Sequence, residues 1–202
     1  MLTDDETFTR ITTPLGEEAA RALRVGNEVL VDGIIWGIRD ATLIRIFDQH
    51  QEPPVDLSGA ALLHVAPSVR RRPDGGYDPV SVGTTTSTRM DRYTRGCLEH
   101  LGARAIIGKG GLSDASLQHL SEFGGVYLTI VGGAASVETV QVEAIEAVYW
   151  EDLMPECLWK FRVKDFGPLF VTMDSHGDST YRDVRSQTAE NIADAYKRLG
   201  LG

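Results

Sequence analysis

The chain has 202 residues, of which 42% are hydrophobic, so it is long enough for one substantial core and is expected to form a single domain over residues 1–202. It carries 20 Lys and Arg against 29 Asp and Glu, a formal net charge of −9, which argues against a nucleic-acid-binding protein. The longest uncharged stretch, 123–137, is shorter than the ~20 residues that a membrane helix needs, so no membrane partner is expected either.

The N-terminus and the cysteines both bear on the cellular compartment. Residues 1–6 are acidic and lack the basic start and apolar run of a signal peptide. The two cysteines, Cys97 and Cys157, form no CxxC motif, so we expect reduced thiols and neither a disulfide nor a metal site. These features predict a cytoplasmic protein.

The first 80 residues predict a helix, a hairpin, a second helix and a buried strand. The first helix begins at Thr12–Pro14 and ends near Gly26, and a tight turn at Asp32-Gly33 is expected to join two short strands. The remaining predicted elements are, in order, the strand pair Val29–Val31 and Ile34–Trp36, a helix over Arg39–Gln49, a strand over Ala60–Val65, and a surface loop over Pro67–Pro79 that includes the arginine cluster 70–72.

From residue 88 onward, predicted helices and strands alternate, which is typical of parallel βαβ units with helices covering a sheet. The predicted elements are, in order, helix Arg89–Leu101, strand Ala103–Ile107, helix Ser113–Phe123, strand Val126–Val131, helix Ala135–Ala147, strands Trp159–Val163 and Leu169–Met173, and a final amphipathic helix at about 188–199. The fold class that follows is α/β.

A run of hydroxyl side chains is the most informative motif. Five consecutive hydroxyl residues, Thr84–Thr88, lie between Gly83 and Arg89. A guanidinium grips a carboxylate at two points, and hydroxyls and backbone N–H groups of a glycine-led turn fill the remaining acceptor positions. The alternative is a helix cap whose arginine pairs with Asp91 or a neighbouring acid, but a cap needs one hydroxyl and the run has five. The motif therefore predicts an anion site.

Two further cationic residues, Arg39 and Lys109, each follow an apolar run that predicts a strand. Open α/β sheets bind ligands at the edge beyond the carboxyl ends of their strands. We therefore expect Arg39, Arg89 and Lys109 to lie in one pocket.

Other candidate sites have weaker patterns. Gly108–Gly111 lacks both the glycine spacing and the Ser/Thr of a phosphate loop. It also lacks the third glycine of a dinucleotide-binding fingerprint. Gly132–Ala135 offers backbone N–H groups to an anion only if it opens a helix. The segment Asp174–Asp178 contains three potential metal ligands but equally fits a turn. Structural or surface roles are expected for four histidines without metal-ligand spacing, His50, His64, His100 and His119.

Taken in order, these pieces resemble the β subunit, or C-terminal domain, of the iron-sulfur hydro-lyases that include class I fumarase and L-tartrate dehydratase. The resemblance is carried by Thr13–Leu15, Gly26–Gly33, Arg39–Ala41, Gly83–Asp91, Gly108–Gly110, Gly125–Leu128, Gly132–Ala135, Leu158–Trp159, Val163–Phe166 and Asp174–Gly177. It implies a swivelling β/β/α domain with a mixed, largely parallel sheet covered by helices. It also implies a larger α subunit, in a heterodimer or α2β2 assembly, that holds a 4Fe-4S cluster, so that this chain itself holds no metal.

The resemblance implies a hydro-lyase, active only with the α subunit, whose substrate is a small hydroxy-dicarboxylate such as malate, fumarate or tartrate. By position, Arg39, Arg89 and Lys109 become ligands of the distal carboxylate, and Gly83 and Ser87 belong to the same substrate-binding motif.

Two threonines of the motif acquire a catalytic role by the same resemblance. Thr85 and Thr86 become the hydroxyl pair beside the reacting carbons, with Thr85 the leading candidate for the base that removes the C–H proton.

Two positions depart from the family pattern, because Thr84 replaces the usual proline and Leu43 stands where a histidine is common. The alternative is a non-catalytic carboxylate-binding or regulatory module derived from the same family.

Overall fold

A computed structural model describes residues 8–131, 133 and 137–200. Its strands are β1 (Thr9–Thr12), β2 (Glu28–Ile38), β3 (Ala61–His64), β4 (Ser68–Arg71), β5 (Tyr77–Ser81), β6 (Ala105–Gly108), β7 (Val126–Thr129), β8 (Val142–Tyr149) and β9 (Leu158–Met173). Its α-helices are α1 (Glu17–Ala22), α2 (Asp40–Leu43), α3 (Thr94–Glu99), α4 (Asp114–Phe123) and α5 (Thr180–Arg198). A π-helical turn, Ile44–Asp48, continues α2, and 3-10 helices cover Ser87–Tyr93, Glu138–Gln141 and Glu151–Leu153.

Within these described ranges, seven strands form one mixed sheet in the order β1-β2-β3-β6-β7-β9-β8. The neighbours from β1 to β7 pair in parallel, whereas the long strand β9 runs antiparallel to β7, β8 and β2. Because β9 pairs with both β7 and β2, the strands β2, β3, β6, β7 and β9 close into a ring. The expected α/β class with a mixed, largely parallel sheet is confirmed.

Alternate residues of the central strands belong to different apolar clusters, as the period of two in a strand requires. Leu63, Ile107 and Leu128 are completely buried in the largest cluster, whereas their sequence neighbours Leu62 and Ile106 pack in separate clusters with helical residues. Burial on both faces explains the nearly continuous apolar runs of these strands.

In the described part of the chain, no helix is both long and apolar enough to cross a bilayer.

A predicted turn and a predicted strand break in the sheet are both wrong. The strand pair around Asp32-Gly33 is a single strand, β2, held on one side by β1 and on the other by β9. Gly33, at φ +107°, accommodates an irregularity in the pairing with β9 instead of a chain reversal. Likewise, the two strands predicted over 159–173 are one strand of 16 residues.

The helix predicted over Ala135–Ala147 is wrong from residue 142 onward, where the chain forms strand β8. The pairing of β8 with β9 shifts register twice, so the buried positions Val142 and Ile145 are three residues apart, as on a helix. The irregular pairing therefore gives the buried residues of this strand the spacing of a helix, which explains why the sequence pattern predicted one. Residues 134–136, where this helix was predicted to start, lie outside the described residues, as do Gly132 and the acidic N-terminus 1–6.

Three smaller differences concern loops and helix starts. The loop predicted over Pro67–Pro79 contains the hairpin β4–β5, which turns at Asp74–Gly76. The final helix begins at Thr180, earlier than expected, because the Ser179 hydroxyl caps it by accepting the Arg182 N–H at 3.3 Å. The first helix begins at Glu17, since Thr12 still belongs to β1.

Candidate active site

The segment Gly83–Thr88, here called the hydroxyl loop, lies across the carboxyl ends of β3 and β6. The Thr85 N–H donates to the His64 carbonyl oxygen at 2.7 Å, and the Ser87 N–H donates to the Lys109 carbonyl oxygen at 2.8 Å. Bridges between Val65 and Thr84, and between Thr86 and Lys109, complete the attachment. The loop is therefore fixed by its backbone, which brings Thr85 and Thr86 close to the turn that carries Lys109.

Arg39 and Arg89 are held by one carboxylate. Asp40 Oδ2 lies 3.1 Å from Arg39 Nε, and Asp40 Oδ1 lies 3.2 Å from an Nη of Arg89. Arg39 follows β2, and Arg89 lies on the 3-10 helix after the hydroxyl loop. The Arg39 side chain is 21% exposed and the Arg89 side chain 55% exposed, so Arg89 is the more accessible of the two.

Glu156 provides a second carboxylate at Arg39. Its Oε1 lies 3.3 Å from Arg39 Nε, and its Oε2 accepts the Ala41 N–H at 2.8 Å. The Thr42 hydroxyl donates to the Glu156 carbonyl oxygen, which ties the same residue to α2. Sequence reasoning missed Glu156, because nothing local marks a residue that is more than a hundred positions from its partner.

Lys109 lies in the glycine-rich turn after β6, where Gly110 and Gly111 adopt φ +82° and +73°. Within the described ranges, no carboxylate lies at ion-pairing distance from its ammonium group. Arg39, His64 and Lys109 thus mark the ends of three adjacent strands, β2, β3 and β6, at one edge of the sheet. The expected placement of Arg39 and Lys109 at strand ends is therefore seen, and Arg39 and Arg89 meet at Asp40, whereas a single pocket that also includes Lys109 stays a prediction.

A buried polar cluster lies beneath the hydroxyl loop. Ser87 is completely buried, and its Oγ is 2.9 Å from His64 Nδ1 and 2.9 Å from the Tyr127 hydroxyl, which donates to it. Gly108 makes the space, because a Cβ at that position would lie 1.9 Å from Ser87 Oγ. The Ser87 hydroxyl is therefore engaged within the protein, and its backbone N–H with Lys109, whereas Thr85 is half-buried and Thr86 exposed.

Burial determines the protonation state of this cluster. Desolvation lowers the pKa of His64 from 6.5 to about 4, although the nearby Asp40 charge opposes the shift. Desolvation also raises the pKa of Tyr127 well above its ordinary value. Both groups are consequently neutral near pH 7. A structural or surface role was expected for His64, and its place near the end of the strand predicted over Ala60–Val65 was the one signal that could have linked it to the site.

The helix-cap explanation of the hydroxyl run is not supported. Thr86 is the cap residue of the 3-10 helix, but its side chain makes no capping hydrogen bond. Arg89 pairs with Asp40, and Asp91 instead accepts from the Ser113 N–H at 2.8 Å and from the hydroxyls of Ser113 and Ser116 at 2.7 Å each. Asp91 therefore fastens the 3-10 helix to the start of α4.

The weaker candidates of the sequence analysis have structural explanations. The start of α4, after Gly108–Gly111, is already occupied by the acceptors Ser113 and Asp91, which do not suit a phosphate. Asp174 is buried and accepts the N–H groups of Val25, His176 and Asp178, so it organises a turn. Among the described residues, no group of three or more His, Cys, Asp or Glu is suited to a metal ion.

The cysteines do not fit the iron-sulfur cluster that the resemblance implies. Cys97 and Cys157 are unpaired and buried in different apolar clusters. Burial raises the pKa of Cys97 to about 12 and that of Cys157 to about 11, so both are protonated thiols, whereas cluster ligands are thiolates. Leu43, at the position of the family histidine, is fully buried in an apolar cluster.

In chemical terms, the site is suited to a carboxylate ligand. Arg39 and Arg89 pair with the carboxylates Asp40 and Glu156, whereas Lys109, beside the hydroxyl loop, has no such partner among the described residues. Arginine forks bind carboxylates by charge-assisted hydrogen bonds, and Thr85 is close enough to this edge to contact such a ligand. The geometry thus favours one anionic group beside a threonine hydroxyl.

Comparisons with known proteins agree with this chemistry. The family model described as Fumarase C-terminus matches residues 4–184. A putative fumarate hydratase class I of Geobacillus stearothermophilus is 39% identical over 184 residues, 91% of this chain but only 35% of that protein, so the chain spans about a third of its length. The L(+)-tartrate dehydratase subunit beta of Escherichia coli K12 is 36% identical over 89% of this chain and 90% of the relative. A putative L(+)-tartrate dehydratase subunit beta of Methanocaldococcus jannaschii is 33% identical over 92% and 95%.

Proposed function

The chain belongs to the fumarase C-terminal family, and on that basis we propose that it is the β subunit of a hydro-lyase that acts on a small hydroxy-dicarboxylate. Fumarate and malate, or tartrate, are the first substrates to test, because the similar proteins are named for these reactions. The observation that carries the proposal is the carboxylate of Asp40 between Arg39 and Arg89, because these two arginines already pair with the chemical group that the proposed substrate carries.

The three cations bind the distal carboxylate of the substrate. Lys109 has no carboxylate partner among the described residues, and the half-exposed Arg89 side chain can turn one face of its fork to a ligand while it stays near Asp40. Gly83 at the start of the hydroxyl loop and Ser87 near its end contribute by shaping the backbone around this group. Each charge-assisted hydrogen bond stabilises the complex by about 1.5–3 kcal/mol.

Thr85 is the proposed base for the C–H proton, with Thr86 as the second candidate. A threonine hydroxyl is a weak base unless nearby cations lower its pKa, and exclusion of water helps only by strengthening the field of those cations, since desolvation alone raises the pKa of a hydroxyl. The Arg39, Arg89 and Lys109 charges lie at the same sheet edge, and Thr85 is already half-buried before a partner covers the site. The threonine that lies nearer to these cations in the assembled enzyme is the better base.

The α subunit completes the proposed enzyme. Removal of an unactivated hydroxyl needs a Lewis acid or a strong general acid at the leaving oxygen, and the two buried thiols of this chain do not fit a cluster. We therefore assign the 4Fe-4S cluster to the α subunit, in a heterodimer or an α2β2 assembly. We also propose a cytoplasmic location, in keeping with two buried, unpaired cysteines.

The proposal is tested by reconstitution. The purified chain should be colourless and inactive, and it should gain dehydratase activity when it is combined anaerobically with an iron-sulfur α subunit of the family. Turnover by the chain alone would contradict the proposal that the α subunit supplies the cluster and this chain supplies the carboxylate site. Binding of a dicarboxylate to the reconstituted complex without turnover would instead support the non-catalytic module.

A further inference from the structure

A directional chain of hydrogen bonds runs under the hydroxyl loop from β7 to β3. The Tyr127 hydroxyl donates to Ser87 Oγ, which is also 2.9 Å from His64 Nδ1. The Ser87 hydroxyl has a single hydrogen, and since its oxygen accepts from Tyr127, that hydrogen is directed to His64. The imidazole therefore accepts at Nδ1 and carries its proton on Nε2.

The hydrogen bonds of this chain run in one direction, from a donor on β7 to an acceptor on β3. Tyr127 donates to Ser87, and Ser87 donates to His64, which is the final acceptor. All three side chains are at least 98% buried, in a setting where an unsatisfied polar group is costly.

We propose that His64 is a positioning residue, which holds the hydroxyl loop by accepting the Ser87 hydroxyl; this role rests on the proposed function. Ser87 lies between Thr85 and Arg89 in the chain, and its N–H is bonded to Lys109. Fixing Ser87 at both its backbone and its side chain therefore fixes the base candidate and two of the cations relative to one another. His64 acts through Ser87 and needs no contact with the substrate.

A side chain without an imidazole ring can supply the same hydrogen-bond acceptor that Nδ1 of His64 provides. In asparagine, Oδ1 is separated from Cβ by the same number of bonds as Nδ1 is in histidine, so His64→Asn keeps an acceptor for Ser87. His64→Leu fills similar space but removes it. A packing role alone would favour leucine, whereas a positioning role favours asparagine.

The kinetic test compares these variants in the reconstituted enzyme. His64→Leu should lower kcat about tenfold or more, because Ser87 loses its acceptor and the loop leaves its register, while His64→Asn should stay within about threefold of the parent. His100→Leu, which changes an exposed histidine, is the matched control and should leave kcat unchanged. Equal activity of His64→Leu and the parent would overturn the assignment, as would a His64→Asn variant no better than His64→Leu.

A second measurement on the isolated chain separates this inference from the proposed function. Amide hydrogen exchange of Ser87 should accelerate in His64→Leu and not in His64→Asn, whether or not any dicarboxylate is turned over. If the parent complex has no hydro-lyase activity but the exchange rates differ in this way, the proposed function fails and the positioning role stands. Unchanged Ser87 exchange in a folded His64→Leu variant overturns the positioning role.

Discussion

Asp40 and Arg89 make the contact that joins two distant parts of the site. One oxygen of Asp40 lies 3.2 Å from Arg89, while its other oxygen lies 3.1 Å from the neighbouring Arg39. The protein thus binds one of its own carboxylates where the proposed substrate carboxylate must approach. A ligand with the same group can share the arginine forks only if their planar geometry is kept.

Replacing Arg89 with lysine tests this geometry. Arg89→Lys keeps the charge but removes the two-point fork, so we expect kcat/KM of the reconstituted enzyme to fall by roughly 1.5–3 kcal/mol in transition-state stabilisation. Steady-state kinetics with fumarate, malate and tartrate measures the loss.

Arg72→Lys is the matched control, because Arg72 lies on the β4–β5 connection and pairs with Asp74 and Asp78. It should leave the kinetics unchanged. If Arg89→Lys behaves like this control, Arg89 does not bind the substrate carboxylate.

The sheet edge of the site could be predicted from the sequence because its signals are local. Arg39 and Lys109 each follow an apolar run, and parallel neighbours bring the carboxyl ends of such runs to the same edge. The hydroxyl run before Arg89 likewise predicts an anion site without knowledge of the fold. For these residues, strand-end position and side-chain chemistry are sufficient.

The partners of these residues could not be predicted, because they depend on packing between distant segments. Glu156 reaches Arg39 only because β9 follows β8 back along the sheet, and β8 was itself mistaken for a helix. Beyond its place near a strand end, His64 carries no sequence signal of its role, since Ser87 and Tyr127 meet it only after β3, β6 and β7 have paired. The partners of the site residues therefore depend on strand pairing between distant segments, which local periodicity in the sequence does not reveal.

Gly108→Ala should damage both stability and the site. The new Cβ would lie 1.9 Å from Ser87 Oγ and 3.1 Å from the Tyr127 hydroxyl, so Ser87 must move and lose its buried hydrogen bonds. We expect a loss of roughly 2–4 kcal/mol in the free energy of unfolding, measured with urea.

Gly16→Ala provides the control for this change. Gly16 has φ −73°, and no atom lies within 4 Å of the point that an alanine Cβ would occupy, so its replacement should cost less than about 1 kcal/mol. Equal stabilities of the two alanine variants would show that Ser87 has room to move.

The buried His64 predicts a pH dependence of stability. Its pKa is about 4 in the folded chain, against an ordinary value of 6.5 for a solvated histidine, so the unfolded chain binds more protons between these values. The contribution of neutral His64 is therefore complete above pH 6.5 and is lost as the pH falls toward 4, by roughly 3 kcal/mol in total.

Comparison with His64→Asn isolates this effect, because the variant retains every other titrating group. The difference in unfolding free energy between the parent and the variant should change by most of that amount from pH 7 to pH 4.5, with the parent losing more. A difference that stays constant with pH would mean that His64 keeps an ordinary pKa in the folded protein.

The last prediction separates proton transfer from binding at the hydroxyl loop. Thr85→Val is nearly isosteric but lacks the hydroxyl, so kcat should fall by roughly 10²–10⁴-fold if Thr85 is the base, while KM changes little. If Thr85 binds the substrate equally in the ground and transition states, KM should rise and kcat should be preserved. Thr86→Val is the internal control, since the exposed Thr86 is the neighbouring candidate.

Exchange of the substrate C–H proton with deuterated solvent decides between the two threonines. It reports the proton-transfer step even when the substrate does not lose its own hydroxyl group. We expect exchange in the reconstituted enzyme to be slowed in Thr85→Val and to persist in Thr86→Val. The opposite pattern would assign the base to Thr86. Exchange at the parent rate in both variants would exclude both threonines and would place the base on the α subunit, leaving this chain to bind and orient the carboxylate.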